Sequence, residues 1–290
     1  MTKMLLAVTK ENYPNVLAPE TEAKIMALGD VVKRDDLKEA DDPAAAYLEA
    51  IRDAQPEIII TGWGTPTLTT EGCRASPGLK YLCHCAGTVR RIVDRDVLAA
   101  GLLVSNWGPL PAPTVAEAAL MMTLAGLRKV SGFVRLLDDG GWRTDEFESA
   151  SLFGRTVGLQ GLGVIAQEFV RLLKPFGCQV SAYSPHCPDD VFERLDVRRQ
   201  TDLAALYAEN DVVSVHASNT PENYHIVDAD ILGGMRDGAV LVNTARGAII
   251  DTDALIEKLR EGTIWAALDV YEREPLPEDS PLRGMKSALL

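Results

Sequence analysis

A glycine-rich stretch in the second half of the chain has the residue types and spacing of a phosphate-binding turn. Residues 158–166 read GLQGLGVIA and lie between a β-branched opening and a segment typical of a helix. A pyrophosphate binds where a strand ends and a helix begins, because unpaired N–H groups and the helix dipole both favour an anion there. Gly161 permits the tight turn, Gly163 lets a phosphate approach the backbone, and Ala166 is small enough for helix–strand packing. The stretch therefore predicts a dinucleotide site rather than a turn that serves packing alone.

The end of the next strand bears on which dinucleotide is bound. An acidic side chain there would bind the ribose hydroxyls, but residues 180–186 read VSAYSPH and place Ser184 at that position. Serine removes the repulsion that an aspartate would exert on a 2′-phosphate, yet no Arg or Lys follows at once to bind one. NAD and NADP are both candidates, with a slight preference for NAD.

A Cys-His-Cys run at 83–85 is a second group of residues that could do chemistry. Thiolate and imidazole are good zinc ligands. Alternation along a strand, however, sends Cys83 and Cys85 to one face and His84 to the other. No second cluster in the sequence supplies further ligands, so we expect buried strand residues and no metal.

Strands alternate with helices along both halves of the chain. In the first half, Asp42 followed by Pro43 is a good helix start, and strands are predicted at 4–8, 31–32, 57–61, 80–85 and 102–106. In the second half, strands are predicted at 156–160, 178–183, 211–216, 239–243 and 264–268, and helices at about 163–174, 201–208, 228–235 and 252–260. Such alternation predicts parallel sheets that helices cover on both faces.

A proline-rich break, WGPLPAPT at 107–114, divides the chain. Proline stiffens such a link and is expected to exclude helix before Thr114, after which one long helix is predicted over roughly 115–137. At 290 residues the chain exceeds the usual size of a single domain. We therefore expect an α/β protein of two doubly wound parallel-sheet domains, 1–110 and 111–280.

The composition excludes several classes of partner and location. A net charge of −13 disfavours nucleic acid or an anionic membrane, because both would repel such a surface. No run approaches the roughly 20 apolar residues of a membrane span, and the apolar patch at 4–8 is too short for a signal peptide. Five cysteines without a C-x-x-C pair, in a chain without an export signal, favour reduced thiols and a cytoplasmic location.

Several separate motifs together resemble the D-isomer-specific 2-hydroxyacid dehydrogenases. Beside the glycine turn, DVVSVHASNTPENYHIV (211–227) is similar to the family's D-V-V-x-x-H-x-P-x-T-P-E-T segment, and MRDGAVLVNTARGAIID (235–251) resembles the segment with N-x-x-R-G. AALDVYEREPLP (266–277) resembles D-V-F-x-x-E-P. LKYLCHCAGTVRRIV (79–93) and PTVAEAALMMTLAGLRKV (113–130) are similar to the substrate loop and the V-A-E helix. The likeness covers nearly the whole chain, and several motifs in the family's order are more specific than any one of them.

The resemblance implies an oxidoreductase that transfers a hydride between NAD or NADP and a small 2-oxo or D-2-hydroxy acid. It implies a flavodoxin-like substrate domain over 1–110, a Rossmann cofactor domain over 111–280, and a homodimer built on the cofactor domain. At matching positions it implies cofactor contacts from Gly161, Gly163, Val164, Ile165, Ser184, Ser218, Thr244, Ala245 and Asp269. Asp269 would accept a hydrogen bond from the nicotinamide carboxamide and orient the ring.

The resemblance also implies the groups that act on the substrate. Arg246 would bind the carboxylate and polarise the ketone, since its planar fork suits both oxygens. The backbone N–H groups of Gly87, Thr88 and Val89 would complete the anion pocket. Glu274 would raise the pKa of a neighbouring catalytic histidine and keep it protonated as the general acid.

The family's catalytic histidine lies in a T-P-H motif soon after the E-P segment. Here the sequence reads KSALL up to Leu290. By that register the histidine would lie three residues further on, and 281–290 would start a segment that returns to the first domain. His216 matches the H-x-P histidine, which is not the proton donor, and Ser218 replaces the usual proline. The alternative function is a dinucleotide-sensing binding protein without turnover, like the co-repressors built on this fold.

Overall fold

Short apolar runs form most of the strands of two parallel sheets. The computed structural model describes residues 1–12 and 16–290, and the chain divides into two units, Met1–Leu110 and Pro111–Leu290. Each unit contains one sheet with helices packed against it. The predicted fold class, α/β with two doubly wound parallel sheets, is confirmed.

The first unit has a five-stranded sheet in the order β2-β1-β3-β4-β5, with every pair parallel. Its strands are β1 (Lys3–Ala7), β2 (Asp30–Lys33), β3 (Ile58–Thr61), β4 (Tyr81–His84) and β5 (Leu103–Ser105). Among the described residues, its α-helices are α1 (Pro19–Ala27), α2 (Pro43–Ala54), α3 (Thr70–Ala75) and α4 (Arg95–Ala99). The strand order reverses between β1 and β3, so the loops that follow these strands lie at a topological switch point, where open α/β sheets bind ligands.

The second unit has a seven-stranded parallel sheet in the order β12-β11-β10-β9-β6-β7-β8. Its strands are β6 (Thr156–Gln160), β7 (Gln179–Tyr183), β8 (Arg198–Arg199), β9 (Val212–Val215), β10 (Val240–Asn243), β11 (Trp265–Leu268) and β12 (Ala288–Leu289). Its helices are α5 (Ala112–Leu127), α6 (Val130–Asp138), α7 (Val164–Leu173), α8 (Asp189–Leu195), α9 (Leu203–Glu209), α10 (Ala229–Gly233) and α11 (Thr252–Arg260). The order reverses between β6 and β9, which places the switch point beside the glycine turn.

Helices bury both faces of the second sheet. One core cluster joins Val212 and Val242 to Phe169 of α7, and another joins Val213 and Leu241 to helices α9 and α11. Neighbouring residues of one strand thus point to opposite cores, as the pleat requires. This two-sided burial explains why these strands are continuously apolar rather than alternating.

The expectation of one long helix over 115–137 is wrong. The helix begins earlier, at Ala112, because Pro113 fits the first turn, where its missing N–H costs nothing. It then ends before Lys129, whose φ of 55° is left-handed, and α6 starts anew. Lys129 is 4% exposed; its Nζ donates to the Gly238 carbonyl at 3.3 Å and lies over the Trp265 ring. Contacts with a distant strand therefore hold a conformation that no glycine or proline marks in the sequence.

Three short elements of the second unit were not predicted from the sequence. They are α8, the two-residue charged strand β8, and the edge strand β12. Residues 288–289 pair with β11, and the Ala266 amide donates to the Ser287 carbonyl at 2.8 Å. Residues of this kind become strands only because a neighbouring strand offers free backbone groups. Within the described ranges, no helix has both the length and the apolar character needed to cross a bilayer.

Candidate functional site

The glycine turn lies between β6 and α7, with its backbone close to the loop that follows β9. Gly161 has a φ of 96°, in the left-handed region that favours glycine, and its amide donates to the Tyr183 carbonyl at 2.8 Å. A Cβ at this position would lie 3.0 Å from backbone atoms of His216 and Ala217. Position 161 therefore requires glycine for the conformation of the turn itself.

Gly163 requires a different explanation, because its backbone is not strained. It is the N-cap of the ten-residue helix α7 and makes no side-chain capping bond, and a Cβ added to it would meet nothing within 4 Å. The first amides of this helix, at Val164 and Ile165, therefore belong to an end that no side chain caps. Open space before an uncapped helix N-terminus fits a pyrophosphate.

A second feature that fits a cofactor lies at the end of β10, which only β9 separates from β6. The Oγ1 of Thr244 is buried and has no hydrogen-bond partner among the described residues. A buried hydroxyl without a partner is costly unless another polar group reaches it. Thr244 and the half-buried Ala245 follow β10 directly, so a polar group of a ligand bound along this edge of the sheet could supply that partner. The described residues thus fit the predicted NAD(P) site at two separate points.

Ser184 follows β7, where the sequence lacks the expected acid. Its carbonyl accepts from Nη1 of Arg199 at 3.3 Å. The same guanidinium donates to the Cys187 carbonyl at 2.7 Å, pairs with Asp189 at 2.6 Å, and lies 3.8 Å from the Phe192 ring centroid. The sheet therefore brings an arginine beside Ser184 from a strand fifteen residues later. No local sequence pattern indicates this arginine, because the pairing of β7 with β8 brings it to Ser184.

Asn243 fixes the loop that carries Arg246. Its buried side chain donates from Nδ2 to the Arg246 carbonyl at 2.9 Å and accepts at Oδ1 from the Ala245 amide at 3.0 Å. The Arg246 side chain is exposed and bonds only its neighbour's carbonyl, from Nη1 to the Ala245 oxygen at 2.5 Å. No carboxylate of the described residues lies within 4.0 Å of it. A cation without a counter-ion on a rigid loop is suited to bind an anionic ligand.

Gly247 holds this loop against the segment that follows β11. A Cβ on Gly247 would lie 1.8 Å from the Tyr271 carbonyl carbon and 2.1 Å from the Glu272 amide nitrogen. No side chain can occupy that space while the two backbones keep their positions. The Asp269 amide also donates to the Asn243 carbonyl at 3.0 Å. In the N-x-x-R-G motif, Arg246 thus supplies a charged side chain, and close packing against the Tyr271–Glu272 backbone requires glycine at position 247.

The segment after β11 presents Asp269 and Glu274 to solvent. Both are exposed, and Oε1 of Glu274 accepts from the Tyr271 amide at 3.0 Å, which closes the segment into a compact turn. The Tyr271 hydroxyl donates back to the Leu268 carbonyl at 3.2 Å. These contacts place both predicted carboxylates on one fixed turn at the carboxyl edge of the sheet, beside the Arg246 loop. Their roles toward a nicotinamide and a histidine stay predictions.

Glu272, which sequence reasoning missed, anchors the same turn. Its carboxylate accepts from His225 Nε2 at 2.7 Å and from Thr252 Oγ1 at 2.8 Å. Burial raises the pKa of this carboxyl, but the hydrogen bonds from Thr252 and His225 outweigh burial and leave the pKa below its usual value. Tyr224 stacks on the His225 ring with centroids 4.0 Å apart. The first glutamate of the E-R-E triplet was the sequence signal for this residue, and its carboxylate links the turn to His225 and Thr252.

Three of the four histidines make side-chain hydrogen bonds with neighbouring residues of the fold. His216 bonds Ser214 through Nε2 at 3.0 Å, and burial lowers its pKa to about 4, so it is neutral at physiological pH. His84 is buried within β4 and bonds Thr61 through Nδ1 at 2.9 Å, and burial lowers its pKa too. His225 pairs with Glu272. The fourth, His186, is exposed in the loop after Ser184.

In the first unit, Gly87, Thr88 and Val89 form a loop at the carboxyl end of β4. The Gly87 carbonyl accepts from Asn106 Nδ2, and the Val89 carbonyl accepts from the Ile92 amide at 2.9 Å. Among the described residues, the amides of positions 87 to 89 donate to no acceptor. The carbonyls of Gly87 and Val89 thus accept hydrogen bonds, while the amides of the loop stay available to donate to an anion.

We predict that Gly247→Ala destabilises the protein by about 3 kcal/mol or more, because the methyl group and the backbone of the Tyr271–Glu272 segment cannot share one space. Urea denaturation measures the change. Gly233→Ala, where an added Cβ meets nothing within 4 Å, is the matched control and should leave the unfolding free energy nearly unchanged. Equal stability of the two variants would contradict the packing argument.

We predict that Gly163→Ala leaves stability unchanged and raises the Kd for NADH at least about 10-fold, because its methyl group enters the open space before α7. Thermal unfolding and fluorescence titration with NADH test the two halves of the prediction. Gly284→Ala, which also has open space around its Cβ, should change neither quantity. Unaltered NADH binding by Gly163→Ala would show that the pyrophosphate does not bind at this turn.

Comparison with known proteins places the chain among dehydrogenases. Residues 120–290 match the model of the D-isomer specific 2-hydroxyacid dehydrogenase NAD binding domain, which confirms the predicted NAD(P) cofactor. A D-3-phosphoglycerate dehydrogenase of Methanocaldococcus jannaschii is 34% identical over 243 residues, which cover 83% of this chain and 46% of that protein. A hydroxypyruvate reductase of Thermotoga maritima is 34% identical over 234 residues, which cover 80% of this chain and 75% of that protein.

Solved structures give the same result for the fold. A structure from Thermus thermophilus has a TM-score of 0.79 at 27% identity and covers 99% of this chain and 88% of its own. The chain spans about half the length of the phosphoglycerate dehydrogenases it matches. The match over 120–290 and the 34% identity to a reductase of which 75% is covered nevertheless establish the relationship. The chain belongs to the D-isomer specific 2-hydroxyacid dehydrogenase family, as its ordered motifs predicted.

Proposed function

We propose that this protein is an oxidoreductase that transfers a hydride between NAD(P) and a small 2-oxo or D-2-hydroxy acid. One observation carries the proposal. The second sheet presents, at one edge, an uncapped helix N-terminus with open space before it and an exposed guanidinium without a counter-ion, with only β9 between their strands. The first feature suits a pyrophosphate, and the second suits the carboxylate of an organic acid.

The proposed reaction needs three groups besides the organic acid itself. NAD(P), held by the glycine turn at 161–166, would supply or accept the hydride at C2 of the acid. Arg246 binds the carboxylate and polarises the adjacent ketone, so that negative charge on the oxygen is stabilised. A protonated group then gives its proton to that oxygen, and Glu274 is the residue proposed to keep such a group protonated. In the first unit, the amides of the loop at 87–89 are proposed to bind the acid.

The names of the relatives support this class of substrate. They include D-3-phosphoglycerate dehydrogenases, a hydroxypyruvate reductase and glyoxylate reductases. All these names refer to acids with an oxygen at carbon 2. An arginine that binds the carboxylate would hold carbon 2 of such an acid beside a nicotinamide. We propose the same chemistry at carbon 2 for this chain.

We further propose that the cofactor site accepts NADPH as well as NADH. Ser184 offers no carboxylate to repel a 2′-phosphate, and Arg199 lies beside its carbonyl. That guanidinium already bonds two carbonyls and Asp189, so it contributes positive potential rather than a vacant fork. This arrangement supports tolerance of the 2′-phosphate more than selection for it.

A homodimer and a cytoplasmic location complete the proposal. The second unit exposes large apolar side chains on and around α5 and α6 to solvent, namely Met121, Val134, Leu137, Trp142 and Phe153. Exposed apolar groups of this number on adjoining elements are typical of an interface. All five cysteines are free thiols, which supports a reducing compartment.

The proposal is tested by the oxidation of NADH or NADPH with glyoxylate, pyruvate and 3-hydroxypyruvate, using the protein at its natural length. We predict that Arg246→Lys lowers kcat/KM at least about 100-fold, because a point charge cannot bind both carboxylate oxygens as the planar fork does. NADH binding should stay within about threefold of the wild-type value. Arg260→Lys on α11 is the matched control and should be neutral. Cofactor binding without turnover of any 2-oxo acid would overturn the proposal.

We predict that Ser184→Asp raises the Kd for NADPH at least about 10-fold and leaves the Kd for NADH unchanged or lower. A carboxylate would repel the 2′-phosphate but could bind the ribose hydroxyls of NADH. Ser184→Ala separates the added charge from the lost hydroxyl and should change both affinities little. Equal loss of both cofactors with aspartate would place the adenosine ribose elsewhere.

A further inference from the structure

Two tryptophans form an aromatic pair at the carboxyl edge of the first sheet. Trp63 follows β3 and Trp107 follows β5, and their rings meet edge to face with centroids 5.1 Å apart and an interplanar angle of 87°. Trp63 is 44% exposed. Large aromatic rings at this edge are open to a ligand, because the loops after parallel strands are where such sheets bind small molecules.

The backbone at Trp63 is held on several sides. Its carbonyl accepts from Thr9 Oγ1 at 3.1 Å and from Asn12 Nδ2 at 2.9 Å. Thr65 Oγ1 donates to the Ala7 carbonyl at 2.5 Å and accepts from the Gly62 amide at 3.1 Å. The backbone of this loop is therefore already ordered, so a ligand that contacts Trp63 does not have to order the loop.

Hydrogen bonds connect Trp107 to the loop at 87–89, whose amides are available to a ligand. Its amide donates to the Ala86 carbonyl at 3.1 Å, and its neighbour Asn106 donates from Nδ2 to the Gly87 carbonyl. Hydrogen bonds therefore join Trp107 to the loop proposed to bind the acid, and ring contact joins Trp63 to Trp107. An acid bound by the amides of this loop would have the two rings beside it.

The segments that carry the two rings contain no charged residue. Residues 62–66 read GWGTP and residues 105–110 read SNWGPL. A phosphoryl group or a second carboxylate on the substrate would need a cation, and these segments offer none. Aromatic rings gain most from apolar or aromatic groups, which pack against ring faces and edges.

We propose that Trp63 and Trp107 bind the side chain at carbon 3 and beyond of the 2-oxo acid, and that the preferred substrates carry a branched alkyl or aryl group there. This inference rests on the function proposed above and adds the substrate class to it. The arginines that follow the loop, Arg90 and Arg91, offer the competing chemistry, since they would favour an acidic side chain. Both are exposed, and Arg91 is linked through its carbonyl to Thr67.

The test compares kcat/KM for glyoxylate, 3-hydroxypyruvate, 4-methyl-2-oxopentanoate, phenylpyruvate, 2-oxoglutarate and 3-phosphohydroxypyruvate, with the protein at its natural length. We expect the two apolar acids to exceed glyoxylate at least about 10-fold, since each well-packed methylene changes discrimination by about 10-fold or more. Trp63→Ala should lower kcat/KM for the apolar acids about 10- to 100-fold and leave the value for glyoxylate within about threefold. Leu28→Ala, which removes an exposed apolar side chain just before β2, at the amino edge of the same sheet, is the matched control and should change none of these values.

Calorimetry gives a readout that does not depend on turnover. The complex with NAD+ cannot reduce a 2-oxo acid, so titration of 4-methyl-2-oxopentanoate into the NAD+-saturated protein measures binding alone. We expect Trp63→Ala to raise this Kd at least about 10-fold while thermal stability and NAD+ affinity stay unchanged. A preference for 2-oxoglutarate or 3-phosphohydroxypyruvate, or an equal effect of Trp63→Ala on every acid, would overturn this inference and leave the proposed function intact. Failure of wild-type protein to use any acid would overturn the proposed function itself.

Discussion

The candidate site of the second unit depends on one contact between backbones. Gly247 lies so close to the Tyr271–Glu272 segment that any side chain there would overlap it. The contact joins the loop after β10, which carries Arg246, to the turn after β11, which carries Asp269 and Glu274. The pairing of β10 with β11 ends at Asn243 and Leu268, so this contact lies beyond the paired residues of the two strands. Together with the hydrogen bonds of Asn243 and Glu274, the absence of a side chain at position 247 therefore sets the relative positions of the three charged side chains.

The candidate site has a positive local potential, although the protein as a whole is strongly negative. A net charge of −13 repels anions at long range, but solvent ions screen that repulsion over about 8 Å at physiological ionic strength. Within that distance, the uncapped amino end of α7 and the exposed Arg246 guanidinium present positive potential. Among the described residues, no carboxylate lies within 4.0 Å of the Arg246 guanidinium, and no side chain caps α7. The protein can thus be strongly acidic and still bind an anionic cofactor and an anionic acid.

Each of the two units contains a topological switch point, the place where open α/β sheets bind ligands. In the second unit it lies between β6 and β9, beside the glycine turn. In the first it lies between β1 and β3, where Trp63 emerges on a loop fixed by Thr9, Asn12 and Thr65. Parallel strands end at one edge, so their loops meet there whatever their sequences contain. Rigid loops at that edge can then differ freely in chemistry, which is why one edge is polar and cationic and the other aromatic.

The sequence by itself determined the fold class, the glycine turn, the start of α2 at Asp42 and Pro43, and the family, because strand periodicity, capping and ordered motifs are written in nearby residues. It also named Arg246, Asp269 and Glu274 as residues to examine. Only the tertiary structure decided the break at Lys129, the approach of Arg199 to Ser184, and the pairing of His225 with Glu272 across 47 positions. These features depend on which distant groups packing brings within about 3 Å, and no local pattern encodes that distance.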